Sequence, residues 1–259
     1  MLEGDIQACF DQIDHDWLLK HIPTDKKVLD SWLKAGYLET GVFHQTEAGT
    51  PQGGVISPVL ANMALDGLEV LLKQQYPRHK GYKVHLVRYA DDFIISCRDQ
   101  KVLVQEIRPL VERFLAERGL RLSPEKTVIT HIDDGFDFLG QTIRKFKGKL
   151  IIQPSKKSRL ALMAKVRTIL RTEGRNRLAA GVIRRLNPLL RGWCNYHRHS
   201  AAMRTFTLIN HQLYQLLWQW AKCRHRQQPR HWIYGVRITR AAARWANSRI
   251  GGATPGQLV

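Results

Sequence analysis

The chain has 259 residues, 44% of them hydrophobic, with 41 Lys/Arg against 22 Asp/Glu and a formal net charge of +19 at pH 7. That is length and apolar content for one large domain or two ordinary ones with a real core, which excludes disorder as the starting expectation. Four scattered cysteines without paired spacing exclude a disulfide framework, and with no long apolar run and no signal-like start the sequence reads as a soluble cytoplasmic protein.

The charge is not evenly spread. Residues 1–154 hold 20 Lys/Arg against 21 Asp/Glu, whereas residues 155–259 hold 21 Lys/Arg against the single Glu173. A segment this one-sided repels itself unless a polyanion accompanies it, and counterion release from phosphates is the usual compensation. A merely solvated basic face or an anionic membrane surface are the alternatives. The bases are interleaved along the segment rather than gathered beside a lipid anchor, so no membrane partner is expected.

In chain order, a short strand carrying Asp5 opens the sequence, followed by a turn at residues 11–14 and a helix from about His15 with Asp14 as N-cap. Two short helices are expected around residues 26–34. Ala48-Gly49-Thr50-Pro51-Gln52-Gly53-Gly54 is a loop by composition; Ser57 can then cap a helix with Pro58 at its first position, running to about Gln75. That helix places Leu60, Met63, Ala64, Leu68, Leu71 and Leu72 on one apolar face. The loop reads equally as a tight turn or as backbone opened for close approach to a ligand.

Val84, Leu86, Val87 and Tyr89 lead into Asp91-Asp92, and Phe93, Ile94 and Ile95 lead out, which predicts a β-hairpin with both aspartates at its turn. Asp-Asp alone is good turn chemistry; two adjacent like charges also suit a Mg2+ site. An amphipathic helix over residues 102–118, ending at Gly119, buries Ile107, Leu110, Val111, Phe114 and Leu115. Leu122-Ser123-Pro124-Glu125-Lys126-Thr127 then places one lysine beside a strand-like Val128-Ile129. Residues 136–143 and 150–152 read as strands joined through a turn at Gly148.

From Pro154 onward the pattern is helical with basic faces. Leu160, Met163, Val166, Ile169 and Leu170 mark one helix; Val182, Ile183, Leu186, Leu189, Leu190 and Trp193 mark a second; residues 206–223 form a third. Trp193 and Tyr196 sit among Arg191, His197, Arg198 and His199, flat surfaces mixed with cations, a pattern that suits RNA. Lys156, Lys157, Arg159, Arg184 and Arg185 extend the same candidate RNA-binding set. Cys194-x-x-His197 and Cys223-x-His225 invite a zinc reading, but neither has a second properly spaced pair. The tail from about residue 226 shows little beyond its arginines.

Asp5-x4-Phe10-Asp11, Thr50-Pro51-Gln52-Gly53-Gly54, Tyr89-Ala90-Asp91-Asp92, Leu122-Ser123-Pro124-Glu125-Lys126-Thr127 and Phe138-Leu139-Gly140 stand in the order and approximate spacing of a reverse transcriptase palm. With Arg191-Gly192-Trp193-x-x-Tyr196, the chain resembles a group II intron reverse transcriptase/maturase. The resemblance implies an α+β fold: a palm, with an antiparallel sheet and packed helices, over residues 1–154, then an all-α basic thumb or maturase domain over 155–225 and a basic tail over 226–259. It implies RNA-directed DNA synthesis with Mg2+, deoxynucleoside triphosphates, an RNA template and a DNA primer, together with intron RNA binding that supports splicing and mobility. Asp5, Asp91 and Asp92 become the metal ligands and catalytic acids, and Lys126 a proton donor to pyrophosphate. Phe10, Gln52 and Gly53 border the nucleotide, and Phe138, Leu139 and Gly140 form the primer grip. Family members carry a fingers region before the first catalytic aspartate, so with four residues ahead of Asp5 the chain reads as lacking most of it. The alternative that this leaves is a non-catalytic fragment that binds intron RNA. The sequence leaves the oligomeric state open.

Overall fold

The computed structural model describes residues 1–39, 42–44, 49–50, 56–172, 174 and 179–229. It divides into two compact units, Met1–His131 and Ile132–Val259. The three-stranded sheet that carries Phe138-Leu139-Gly140 therefore belongs with the basic helices. Packing divides the chain ahead of the change in charge near Pro154, because β-pairing and side-chain contacts follow apolar pattern rather than net charge.

The first unit is built on a four-stranded antiparallel sheet, β1 (Leu2–Gly4), β4 (His85–Tyr89), β5 (Asp92–Ser96) and β6 (Val128–Ile129), in the order β4-β5-β1-β6. Leu2, Phe93 and Ile95 turn into a core with α2 (His15–His21), α3 (Lys26–Leu33), α4 (Ser57–Leu65), α5 (Leu68–Gln75) and α7 (Arg108–Ala116). β2 (Tyr37–Glu39) and β3 (Val42–His44) pair as a separate hairpin. Asp14 caps α2 as expected, its carboxylate accepting from the Trp17 amide, and Asp25 caps α3, which is one helix rather than two.

Several expectations need correction. β1 ends at Gly4, one residue short of Asp5, and the expected turn at residues 11–14 is preceded by a short helix, α1 (Cys9–Gln12), entered through Ala8 at φ 44°. The single helix expected to run to Gln75 is two, because Asp66 turns extended after Leu65 and Gly67, at φ 94°, opens the second helix. Ser57 lies inside α4, whose N-cap is Ile56 with no side-chain cap bond. The helix expected over 102–118 is α6 (Gln100–Val102), a π-helical stretch Leu103–Ile107 and α7. Pro109, which has no amide hydrogen to donate, stands at the start of α7 directly after that stretch. Its expected inward residues still line the core, with Leu110 half-buried.

The second unit begins with a meander, β7 (Phe136–Phe138), β8 (Gln141–Phe146) and β9 (Lys149–Pro154). Both connections are two-residue turns with positive φ throughout: Leu139 and Gly140 at 49° and 74°, Lys147 and Gly148 at 47° and 79°. Such turns match the right-handed twist of the strands they join. Then come α8 (Lys156–Thr172), α9 (Ala179–His197) and α10 (Met203–Arg224), packed through Leu162, Val166, Val182, Leu186, Ile209 and Leu213. No described helix is long and apolar enough to cross a membrane.

Candidate active site and nucleic-acid interface

Asp5, Asp92 and Lys126 come from three separated segments that the sheet gathers. Gly4 stands opposite Phe93 in the β1–β5 register, so the next residue, Asp5, falls opposite Asp92 at the same sheet end. The alternation that buries Leu2 and Gly4 sends Glu3 and Asp5 to the other face. Just beyond β1, Gln7 donates to the Arg121 carbonyl and Ser123 to the Asp5 carbonyl, each through its amide, at 2.9 and 2.8 Å. The 123–127 turn is closed by the Thr127 amide on the Ser123 carbonyl. It sets the Lys126 ammonium 3.3 Å from both Asp5 carboxylate oxygens.

The hairpin turn is Ala90-Asp91, with Ala90 at φ 54°, and Asp92 is the first residue of β5 rather than part of the turn. Arg88 holds this turn: its guanidinium donates to Ala90 O at 3.1 Å, to Asn62 at 2.8 Å and to Asp66 at 3.0 Å, tying the hairpin to the end of α4. The Cys9 thiol is pushed up to about 12, first by burial and then by the carboxylate of Asp91, so it stays protonated. That places negative charge from Asp91 close to α1.

Phe10 is half-buried on α1, and the loop carrying Thr50 packs on its backbone. The Thr50 amide donates to Phe10 O at 2.5 Å, and Gly49, at φ 74°, donates to Ile13 O at 2.9 Å. A β-carbon on Gly49 would meet Phe10 O at 2.3 Å, so only glycine fits. The start of Thr50-Pro51-Gln52-Gly53-Gly54 is thereby brought to Phe10; Gln52 and Gly53 lie outside the described residues.

Asp5, Asp91 and Asp92 are hard oxygen donors of the class that Mg2+ takes, and in that chemistry they fit a divalent cation. Their positions do not amount to a closed cage: among the described residues no group of three or more His, Cys, Asp or Glu is placed to hold a metal. Lys126 supplies the positive charge next to Asp5.

In the second unit, Lys156, Lys157, Arg184, Arg185 and Arg191 are exposed and Arg159 half-buried on α8 and α9, and Arg198 is exposed in the turn that follows α9. Trp193 is turned inward. It packs on Phe206, and its indole N–H donates to Ser158 Oγ at 3.0 Å. Ser158 Oγ also lies 3.2 Å from His197 Nε2, and His197 is buried, so this pair forms a polar core inside the bundle. Tyr196 is 55% exposed, and its hydroxyl donates to Leu139 O at 2.6 Å. The sequence carries no periodic signal for Arg88, Ser158 or this tyrosine contact, because each acts on a residue distant in the chain. Arg118, just before the helix-ending Gly119, gives a partial signal as a cation near a helix terminus.

The chain matches the model of the reverse transcriptase (RNA-dependent DNA polymerase) family over residues 1–143, and that of the group II intron maturase-specific domain over residues 159–236. It is 31% identical to protein YkfC of Escherichia coli, across 68% of this chain and 52% of that one. It is 30% identical to the group II intron-encoded protein LtrA of Lactococcus lactis, across 65% and 39%. The chain thus spans about half or less of these relatives' length. Among solved structures, telomerase from Candida tropicalis in complex with a TWJ fragment of telomeric RNA aligns over 96% of this chain and 49% of that one, at TM-score 0.43 and 10% identity.

Proposed function

The chain belongs to the reverse transcriptase family and carries the maturase-specific domain of group II intron proteins, and from that premise we propose that it contributes the palm and thumb of a cytoplasmic RNA-directed DNA polymerase that also binds intron RNA in splicing and mobility. The observation that carries this reading is the convergence of Asp5, Asp92 and Lys126 from three segments at one sheet end, with Asp91 in the adjoining turn.

Asp5, Asp91 and Asp92 would hold Mg2+, which would supply charge neutralisation for transfer of a nucleotidyl group to a primer 3′ hydroxyl. Lys126 is exposed, with its ammonium beside Asp5, and in this reading it gives a proton to the leaving pyrophosphate. Phe10, seated on α1 and braced by Thr50, would limit the space beside the sugar of a deoxynucleoside triphosphate, with Gln52 and Gly53 bordering the base pair. Phe138, Leu139 and Gly140 would hold the primer end. The lysines and arginines of α8 and α9 would take RNA phosphates, and the exposed face of Tyr196 an RNA base.

Primer extension on an RNA template, with and without Asp91→Ala, tests the chemistry; extension that survives the substitution would sink it. RNA affinity measured in parallel should fall by about a thousandfold between 50 and 200 mM salt if six or more phosphates are held, and Asp91→Ala should leave it unchanged.

A further inference from the structure

The polar contacts around Leu139-Gly140 form one connected set inside the second unit. Both residues of this turn have positive φ, a conformation that suits Asn-Gly or Gly-Gly and is strained for leucine. A strained turn persists where its surroundings hold it, and here both turn carbonyls have partners. The Tyr196 hydroxyl donates to Leu139 O at 2.6 Å, and the Ser155 amide donates to Gly140 O at 2.9 Å. Neither partner is loose. Ser155 is buried and its Oγ accepts from the Ser158 amide at 3.0 Å in the first turn of α8. Ser158 Oγ in turn receives the Trp193 indole and faces His197, whose ring meets Tyr196 edge to face at 4.8 Å.

From this we infer that Tyr196 is a positioning residue for the primer-grip turn: its hydroxyl fixes the Leu139 carbonyl from the RNA-binding helix α9, and through it the seating of the primer strand. This rests on the reading of Phe138-Leu139-Gly140 as the primer grip. It gives Tyr196 a second role besides offering a stacking face. Its ring is more than half exposed while its hydroxyl is committed to backbone, so the two roles separate chemically. Tyr196→Phe keeps the ring and removes only the bond.

The experiment uses the full chain and two ligands, an RNA strand alone and the same RNA carrying an annealed DNA primer. Tyr196→Phe should weaken the primed RNA by about three- to tenfold more than the unprimed RNA, the worth of one net hydrogen bond. Amide exchange of Gln141, the residue that closes this turn opposite Phe138, should accelerate in the same variant. Unchanged exchange would overturn the clamp. Equal weakening of primed and unprimed RNA would overturn the positioning role in favour of stacking. A wild-type chain that binds both RNAs equally would count against the primer-grip reading itself and remove the primer from the inference, while exchange at Gln141 would still decide whether the clamp exists.

Discussion

The two units treat charge in opposite ways. In the first, cations meet anions: Lys126 with Asp5, Arg88 with Asp66, Arg108 with Glu112, Lys34 with Asp30 and Lys73 with Glu69. In the second, the basic helices come from a stretch that holds 21 Lys/Arg and a single glutamate, so its cations far outnumber the carboxylates available to pair with them. The difference extends to the interior. The first unit buries a cation, Arg118, and the second buries a histidine whose only change of charge would be costly. The first unit gathers its distinctive carboxylates, Asp5, Asp91 and Asp92, at one sheet end, whereas the second spreads an excess of cations along its helices. On the function proposed above, local chemistry would belong with the former and binding of a long polyanion with the latter.

The sharpest way to break this division is to remove a carboxylate. Asp91→Ala should lower primer extension by at least about a thousandfold, the scale of losing metal-assisted charge stabilisation, with RNA affinity unaffected. A parallel loss of RNA affinity would erase the distinction between the units.

Next in size is the interior of the first unit. Arg118, 8% exposed, donates to Ala64 O at 2.7 Å and to Phe114 O at 2.6 Å, satisfying C-terminal carbonyls of α4 and α7 that have no partner in their own helices. Its guanidinium also lies over the Phe114 and Trp17 rings, at 3.5 and 4.5 Å from their centroids. Arg118→Ala should cost about 2–4 kcal/mol in urea denaturation, since it strands buried carbonyls as well as deleting contacts. A cost under about 1 kcal/mol would show that water replaces the guanidinium there.

Gly4→Ala should follow, at about 1–3 kcal/mol. A β-carbon at Gly4 would stand 2.2 Å from the Phe93 ring, in the pair that immediately precedes Asp5 and Asp92. Phe93→Leu in the same chain should recover part of the stability by vacating that space, and a double variant no better than the single one would refute the clash.

How much of this was legible in the sequence depends on the range of the interaction involved. Caps and turns are local, so Asp14 and Gly148 were readable from their neighbours, and the apolar spacing of α9 announced its buried face. The motif order gave the family, and with it Asp5, Asp91 and Asp92 as the candidate acids. Asp66 and Gly67 show the limit: the hydrophobic period runs straight through them, and only an extended Asp66 followed by Gly67 at φ 94° divides the helix. The partners of Asp5 were out of reach for a different reason, since Lys126 arrives from 121 residues away through backbone bonds at Ser123 that no periodicity records. Trp193 read as a stacking surface because composition cannot tell which side of a helix end faces a neighbouring helix.

The smallest expected effect concerns His197, and it separates the two buried groups by the direction of their pH response. His197 is 1% exposed, its Nδ1 has no hydrogen-bond partner, and burial pulls its pKa below the ordinary 6.5. The folded chain therefore keeps the ring neutral at a pH where the unfolded chain already binds a proton. Stability from this site is complete above pH 6.5 and declines as pH falls below it, by at most about 1.4 kcal/mol per pH unit, until the folded-state pKa is reached. Arg118 does not change charge in this range, so the first unit owes it no such slope. Urea denaturation of wild type and His197→Gln between pH 7.5 and 5.5 measures the difference: the wild type should lose stability relative to the variant as pH drops. Parallel curves would mean that the imidazole takes up its proton in place, with water or a shifted Ser158 accepting from it.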